Sequence, residues 1–146
     1  MTRLVRSLWW SVRTEGAAPF DTAHLKIYYP AVVEGTDAER LTGVFAPDPV
    51  GAPYPVVVFM SGVNVGQESY RRLATAIAGT GFVVVTVDRV AELFGGHRGL
   101  TPGVDLDAAR PDAYGTRPTC PTIGAVLEAL AELNEQPPLR GALDLD

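Results

Sequence analysis

Ser61 is the first side chain to weigh as a nucleophile, because it ends an apolar run and precedes Gly62. A nucleophile elbow needs G-x-S-x-G, since the strained turn demands a small residue two places to either side of the serine. Phe59 and Val63 hold those places, so the pattern fails on both sides. Ser7, Ser11 and Ser69 fail as well. Cys120, the single cysteine, reads as a small side chain near a helix start rather than as a nucleophile. One thiol makes no internal disulfide, and neither a CxxC pair nor a Cys/His spacing points to a metal. His24 falls in a strand and His97 in a long loop, and both read as surface histidines. Asp88 follows a strand, where holding a loop is expected ahead of catalysis. Residues 62–66 lack the G-x-x-x-x-G-K-[ST] spacing and lysine of a phosphate cradle, and the dinucleotide fingerprint is absent too. No triad member, cofactor or metal ligand is expected among these residues.

The elements that must position any site are legible from periodicity. Residues 3–13 mix Leu, Val, Trp and Arg without a helical period and predict an edge strand. Residues 24–29 alternate, with Leu25, Ile27 and Tyr29 on one face, and predict a half-exposed antiparallel strand ended by Pro30. A short strand is expected near residues 41–45, then a proline-rich connector over 46–55. Residues 56–60, VVVFM, form a β-branched run suited to a strand buried on both faces. A loop over 61–66 follows. Tyr70, Leu73, Ala74 and Ile77 recur at helical spacing over residues 68–78, with Arg71 and Arg72 facing out. Gly79 and Gly81 stop that helix, and residues 82–87 are a second apolar run. Strand, loop, helix, strand is one βαβ unit with parallel strands and a right-handed crossover. Residues 88–118 show no period. Residues 122–135 predict an amphipathic helix with Ile123, Val126, Leu127, Leu130 and Leu133 as its stripe, and Pro137 and Pro138 end it.

Composition narrows the function classes. The chain has 146 residues, with 47% hydrophobic and 20% charged side chains, which suits one folded domain with a core. The formal net charge of -5 argues against a nucleic-acid partner, which would need a basic face. Ser11 and Arg13 interrupt the apolar stretch near the N-terminus before it reaches the ~7–15 residues of a signal-peptide core. No apolar run approaches the ~20 residues of a membrane span. A soluble protein of the cytoplasm is the expectation.

The segment PYPVVVFMSGVNVGQESYRRLATAIAGTGFVVVTVD, residues 53–88, resembles the α/β-hydrolase superfamily. It is most similar to the dienelactone-hydrolase, chlorophyllase and platelet-activating-factor-acetylhydrolase type. There an apolar strand leads into a His-Gly or Pro-Gly turn, a helix follows, and the next strand ends in Asp. Ser61 stands where many relatives have His or Pro. The resemblance implies that Gly62 and Val63 form an oxyanion loop, with the backbone N–H after Gly62 aimed at the developing O⁻. Such a donor is worth ~2.7–4 kcal/mol in the transition state. The bland alternative is a plain strand-to-helix turn. Arg89, Arg98, Asp105, Asp107, Arg110, Asp112 and Arg117 would form a pocket rim in the family, whereas mixed charges by themselves suggest a self-paired surface.

The expected fold class is α/β: a partial α/β-hydrolase sheet of antiparallel N-terminal strands, a parallel βαβ unit and a further helix. The resemblance implies that residues 1–146 are the N-terminal half of such a domain, ending before the elbow strand. The complete enzyme would be a serine hydrolase of carboxylic esters or lactones; this portion would supply the oxyanion loop but no triad residue and be inactive alone. Its sheet order would put the strand of residues 56–60 next to the elbow strand, so self-association through an exposed sheet edge is expected. A non-catalytic α/β module that binds a partner chain is the alternative. A flavodoxin-like binder fits less well, because the leading strands are antiparallel.

Overall fold

The computed structural model describes residues 2–146. One twisted sheet runs through it, built from β1 (Val5–Arg13), β2 (Thr22–Val32), β3 (Ala46–Pro47), β4 (Tyr54–Met60), β5 (Val83–Glu92), β6 (Arg98–Leu100) and β7 (Leu143–Asp144). The strand order is β1-β2-β5-β4-β7, with β3 paired to β2 and β6 to β5. β2 runs antiparallel to both of its neighbours, β1 and β5, whereas β4 runs parallel to β5 and β7 parallel to β4. Three helices accompany the sheet: α1 (Asp37–Thr42), α2 (Arg71–Gly79) and α3 (Thr122–Leu133). The fold is therefore a mixed α/β sheet with antiparallel leading strands and a parallel βαβ unit.

The period of two along the strands divides the core. Leu25, Ile27 and Tyr29 of β2 and Val83, Val85 and Val87 of β5 point to one face, where Val126, Leu130 and Leu133 of α3 cover them. Tyr28 and Val84 point to the other, against Ala74 and Ala78 of α2. Burying each such aliphatic side chain stabilises the fold by about 1.5–3 kcal/mol.

Several sequence expectations change. β2 is central and buried, not half-exposed, because β1 and β5 pair its two edges while α3 and α2 cover its two faces. Pro30 lies within β2 instead of ending it. Its carbonyl accepts from the N–H of Asp48, so its nitrogen faces the same side, where pairing with β5 has stopped at Tyr28 and no ladder donor is needed. The strand expected near residues 41–45 does not form: residues 37–42 are helix, and 43–45 belong to no regular element. Thr36 Oγ1 accepts from the N–H of Glu39 at 3.1 Å, the Glu39 carboxylate accepts from the N–H groups of Glu34 and Gly35, and Gly43 closes the helix at φ 69°. The Thr-x-x-Glu signature of a helix start was present in the sequence and outweighs the Leu41–Phe45 pattern. β4 is half-buried over residues 56–60, not buried on both faces, because only its first two residues have a strand on the outer side. The helix read over 68–78 divides into a 3-10 turn, Gln67–Tyr70, and α2. Leu73, expected in its apolar stripe, is 47% exposed, and Leu127 of α3 is 50% exposed. The buried line of α3 runs instead through Thr122, Val126, Ala129, Leu130 and Leu133.

Candidate functional site

β4 delivers its chain to the carboxyl end of the parallel pair, the end at which open α/β sheets bind ligands. Alternation along β4 sends Phe59 toward the 3-10 turn that precedes α2, where it packs on Tyr70 with ring centroids 4.4 Å apart. Ser61, two residues on, is only 8% exposed, and its Oγ has no hydrogen-bond partner among the described residues. Gly62 and Val63 then emerge into solvent, and Val63 is 62% exposed. Among the described residues, neither the Gly62 N–H nor the Val63 N–H donates to a protein acceptor. A Cβ on Gly62 would meet only Val65 Cγ2, at an ordinary 3.7 Å, so nothing in the chain itself demands glycine there.

The loop is fixed just beyond Val63. Asn64 takes the left-handed conformation at φ 58°, which asparagine tolerates better than most residues. Its N–H donates to Leu100 O at 2.7 Å, and its Oδ1 accepts from the Leu100 N–H at 3.1 Å. Val65 N–H closes a turn on Gly62 O at 3.1 Å. Gly99 makes the clamp possible, because a Cβ there would overlap Asn64 Oδ1. The long segment after β5 thus folds back as β6 and holds the loop from above. Sequence reasoning missed Asn64 and Gly99, since their pairing spans a loop with no periodic signal.

Beneath the loop lies a polar network. Asp88 Oδ1 accepts from the Gln67 N–H at 2.8 Å, and Thr86 Oγ1 donates to Gln67 Oε1 at 2.9 Å. Asp88 therefore holds the first residue of the 3-10 turn, the loop-holding role expected of it. His24 lies opposite Asp88 across β2 and β5, and Ser11 lies opposite His24, with Oγ to Nδ1 at 3.4 Å. No hydrogen bond or ion pair joins His24 to Asp88 among the described residues, and the Ser11–His24 contact is exposed. The three are cross-strand neighbours without the relay geometry of a triad. His97 is exposed, and neither histidine bonds to Ser61. Cys120 is half-buried beside the start of α3, its Sγ 3.5 Å from Pro102 O.

Four of the seven charged loop residues pair with one another, while Arg89 donates to Thr14 Oγ1 and Arg98 lies over the Phe20 ring. Asp105 meets Arg117 at 3.2 Å and Asp107 meets Arg110 at 3.8 Å. The Ala108 N–H donated to its carboxylate, with help from Arg117, holds the Asp105 pKa below its ordinary value. A cavity of about 350 Å³ at this end of the sheet is lined by Thr14, Glu15, Gly16, Arg89, Pro121 and Thr122, and its lining does not include Gly62 or Val63. Among the described residues, no group of three or more His, Cys, Asp or Glu is gathered as a metal site would need. No described helix is long and apolar enough to cross a membrane.

Comparison with known proteins returns one similar solved structure, a ferulic acid esterase from Streptomyces cinnamoneus, at 16% sequence identity and a TM-score of 0.49. The match covers 97% of this chain and 49% of that one, so the chain spans about half the length of the esterase. No family model and no curated protein matches.

Proposed function

We propose that this chain forms the oxyanion-loop portion of a serine hydrolase acting on carboxylic esters or lactones. The observation that carries the reading is the backbone at Val63: an exposed N–H without a protein acceptor, at the carboxyl end of β4 and clamped by Asn64. A fixed, unpaired N–H stabilises a developing oxyanion without reorganising during the reaction. Gly62 leaves the approach to that N–H clear of side-chain atoms. Residues 1–146 supply no triad member in this reading, so the nucleophile, base and acid come from outside them.

The decisive experiment is to read what the coding frame specifies after Asp146. A G-x-S-x-G followed by an acid and a histidine is expected, and a stop codon there would overturn the proposal. The 146-residue chain alone should not hydrolyse a short-chain aryl ester above background, and turnover abolished by Ser61→Ala would make Ser61 the nucleophile instead. In a form that does turn over, Val63→Pro should lower kcat by roughly a hundredfold or more, because proline has no N–H, while Val63→Ala should be mild.

The alternative, a non-catalytic module that joins a partner chain, draws on the outer edge of β4. Beyond Tyr54 and Pro55, which pair with β7, that edge has no strand beside it among the described residues.

A further inference from the structure

The sheet face under α2 carries a second cavity, of about 410 Å³, away from the Gly62–Val63 loop. The register of β1 and β2 sets Ser7 opposite Tyr28, so both side chains stand on this face, with Lys26 two residues along. Arg71 and Thr75, one helical turn apart on α2, close the cavity from the other side. Its side-chain donors are the hydroxyls of Ser7, Tyr28 and Thr75, the Lys26 ammonium and the Arg71 guanidinium, while Arg6, also in the lining, sends its guanidinium over the Phe45 ring, and no carboxylate is in its lining.

Two details set this cavity apart from a surface dent. Tyr28 is only 3% exposed and its hydroxyl has no hydrogen-bond partner among the described residues, a costly state for a buried polar group. Lys26 is held in place: Glu68 takes its ammonium at 2.6 Å, and the same ammonium lies over the rings of Trp9 at 4.9 Å and Tyr28 at 5.3 Å. Glu68 occupies one of three ammonium donors. Arg71 has no carboxylate partner among the described residues, so its guanidinium keeps a full set of donors.

We propose that this cavity binds a phosphoryl group, either free phosphate or the head of a small phosphomonoester. A carboxylate offers two coplanar oxygens, whereas donors on both β2 and α2 suit a group whose oxygens point in several directions. An anion between Lys26 and Arg71 takes ammonium donors that Glu68 leaves free and gives the Tyr28 hydroxyl the acceptor it lacks. The volume exceeds that of phosphate alone and leaves room for a small organic remainder.

The test is thermal unfolding and amide NMR titration of the full chain with sodium phosphate, glycerol phosphate and sodium acetate, each against sodium chloride at equal ionic strength. Phosphate or glycerol phosphate should raise the unfolding midpoint and shift the Ser7, Lys26 and Thr75 amides, while acetate and chloride should do neither. Tyr28→Phe and Arg71→Gln should each weaken binding about tenfold, the usual worth of a charged hydrogen bond. Tyr28→Phe removes only an unpaired oxygen, so it leaves folding intact. Tighter binding of glycerol phosphate than of phosphate assigns the site to a phosphomonoester, and equal binding assigns it to phosphate. An equal response to acetate or chloride, or unchanged affinity in both variants, overturns the proposal.

Discussion

Ser61 and Val63 lie two residues apart and present opposite problems to the chain. The Ser61 hydroxyl is buried without a partner, whereas the Val63 N–H is unpaired in the open, where water serves it. A buried hydroxyl with no acceptor costs about 1–3 kcal/mol, so removing it relieves a penalty. Ser61→Ala should therefore leave stability unchanged or raise it by about 1 kcal/mol, as urea unfolding would measure. A loss of more than about 1 kcal/mol would mean that the hydroxyl has a bonding role in the folded chain. At this scale the sequence argues against an elbow at Ser61, because Phe59 and Val63 stand where the motif has glycine. It could not show that the hydroxyl points inward, since that follows from the alternation of β4 against α2.

Among the elements, α1 shows how a local signal decides a short segment. A six-residue helix has little packing to sustain it, and its ends carry a large share of its stability. Thr36 caps the start, and Glu39 turns back to serve two N–H groups of the preceding chain. Thr36→Ala should cost about 1 kcal/mol and speed amide exchange at Glu39, which native-state hydrogen exchange would detect. Unaltered exchange at Glu39 would remove the cap from the account. The βαβ unit was legible for a different reason. Two β-branched runs separated by a helical period leave few other topologies; β4 starts two residues before the expected 56–60, while β5 starts one residue after the expected 82–87 and runs on to Glu92. The expected strand near residues 41–45 failed because three apolar residues were weighed above a capping signature five residues earlier.

The whole sheet has two outer edges, and they differ. β1 carries Arg6 and Arg13, charges that discourage edge-to-edge pairing. β4 has no charge from residue 54 to 60, and β7 covers only Tyr54 and Pro55. An apolar edge without blunting templates addition of another strand. The 146-residue chain should therefore associate at micromolar concentration, seen as a weight-average mass that rises with concentration in sedimentation. A monomer at all concentrations that unfolds cooperatively would show that the β4 edge is not adhesive. Sodium chloride should have little effect, because backbone pairing and apolar burial are not screened as exposed charges are.

The sequence by itself determined the class of the sheet, the two parallel strands, α2 and α3, and the turn at residues 61–63, because each rests on a local period or a local run. Tertiary structure alone decided that β2 is central, that β7 begins a strand on the outer side of β4, and that Asn64 reaches Leu100. It also decided which carboxylates work: Asp88 serves the Gln67 N–H, while Asp105 serves Ala108 and Arg117. The physical reason is one of range. Periodicity reports which face of an element is apolar, but what that face meets depends on contacts between residues far apart in the chain. Burial of β2, the clamp on the loop and the cavity under α2 are all such contacts, and no window of a dozen residues contains them.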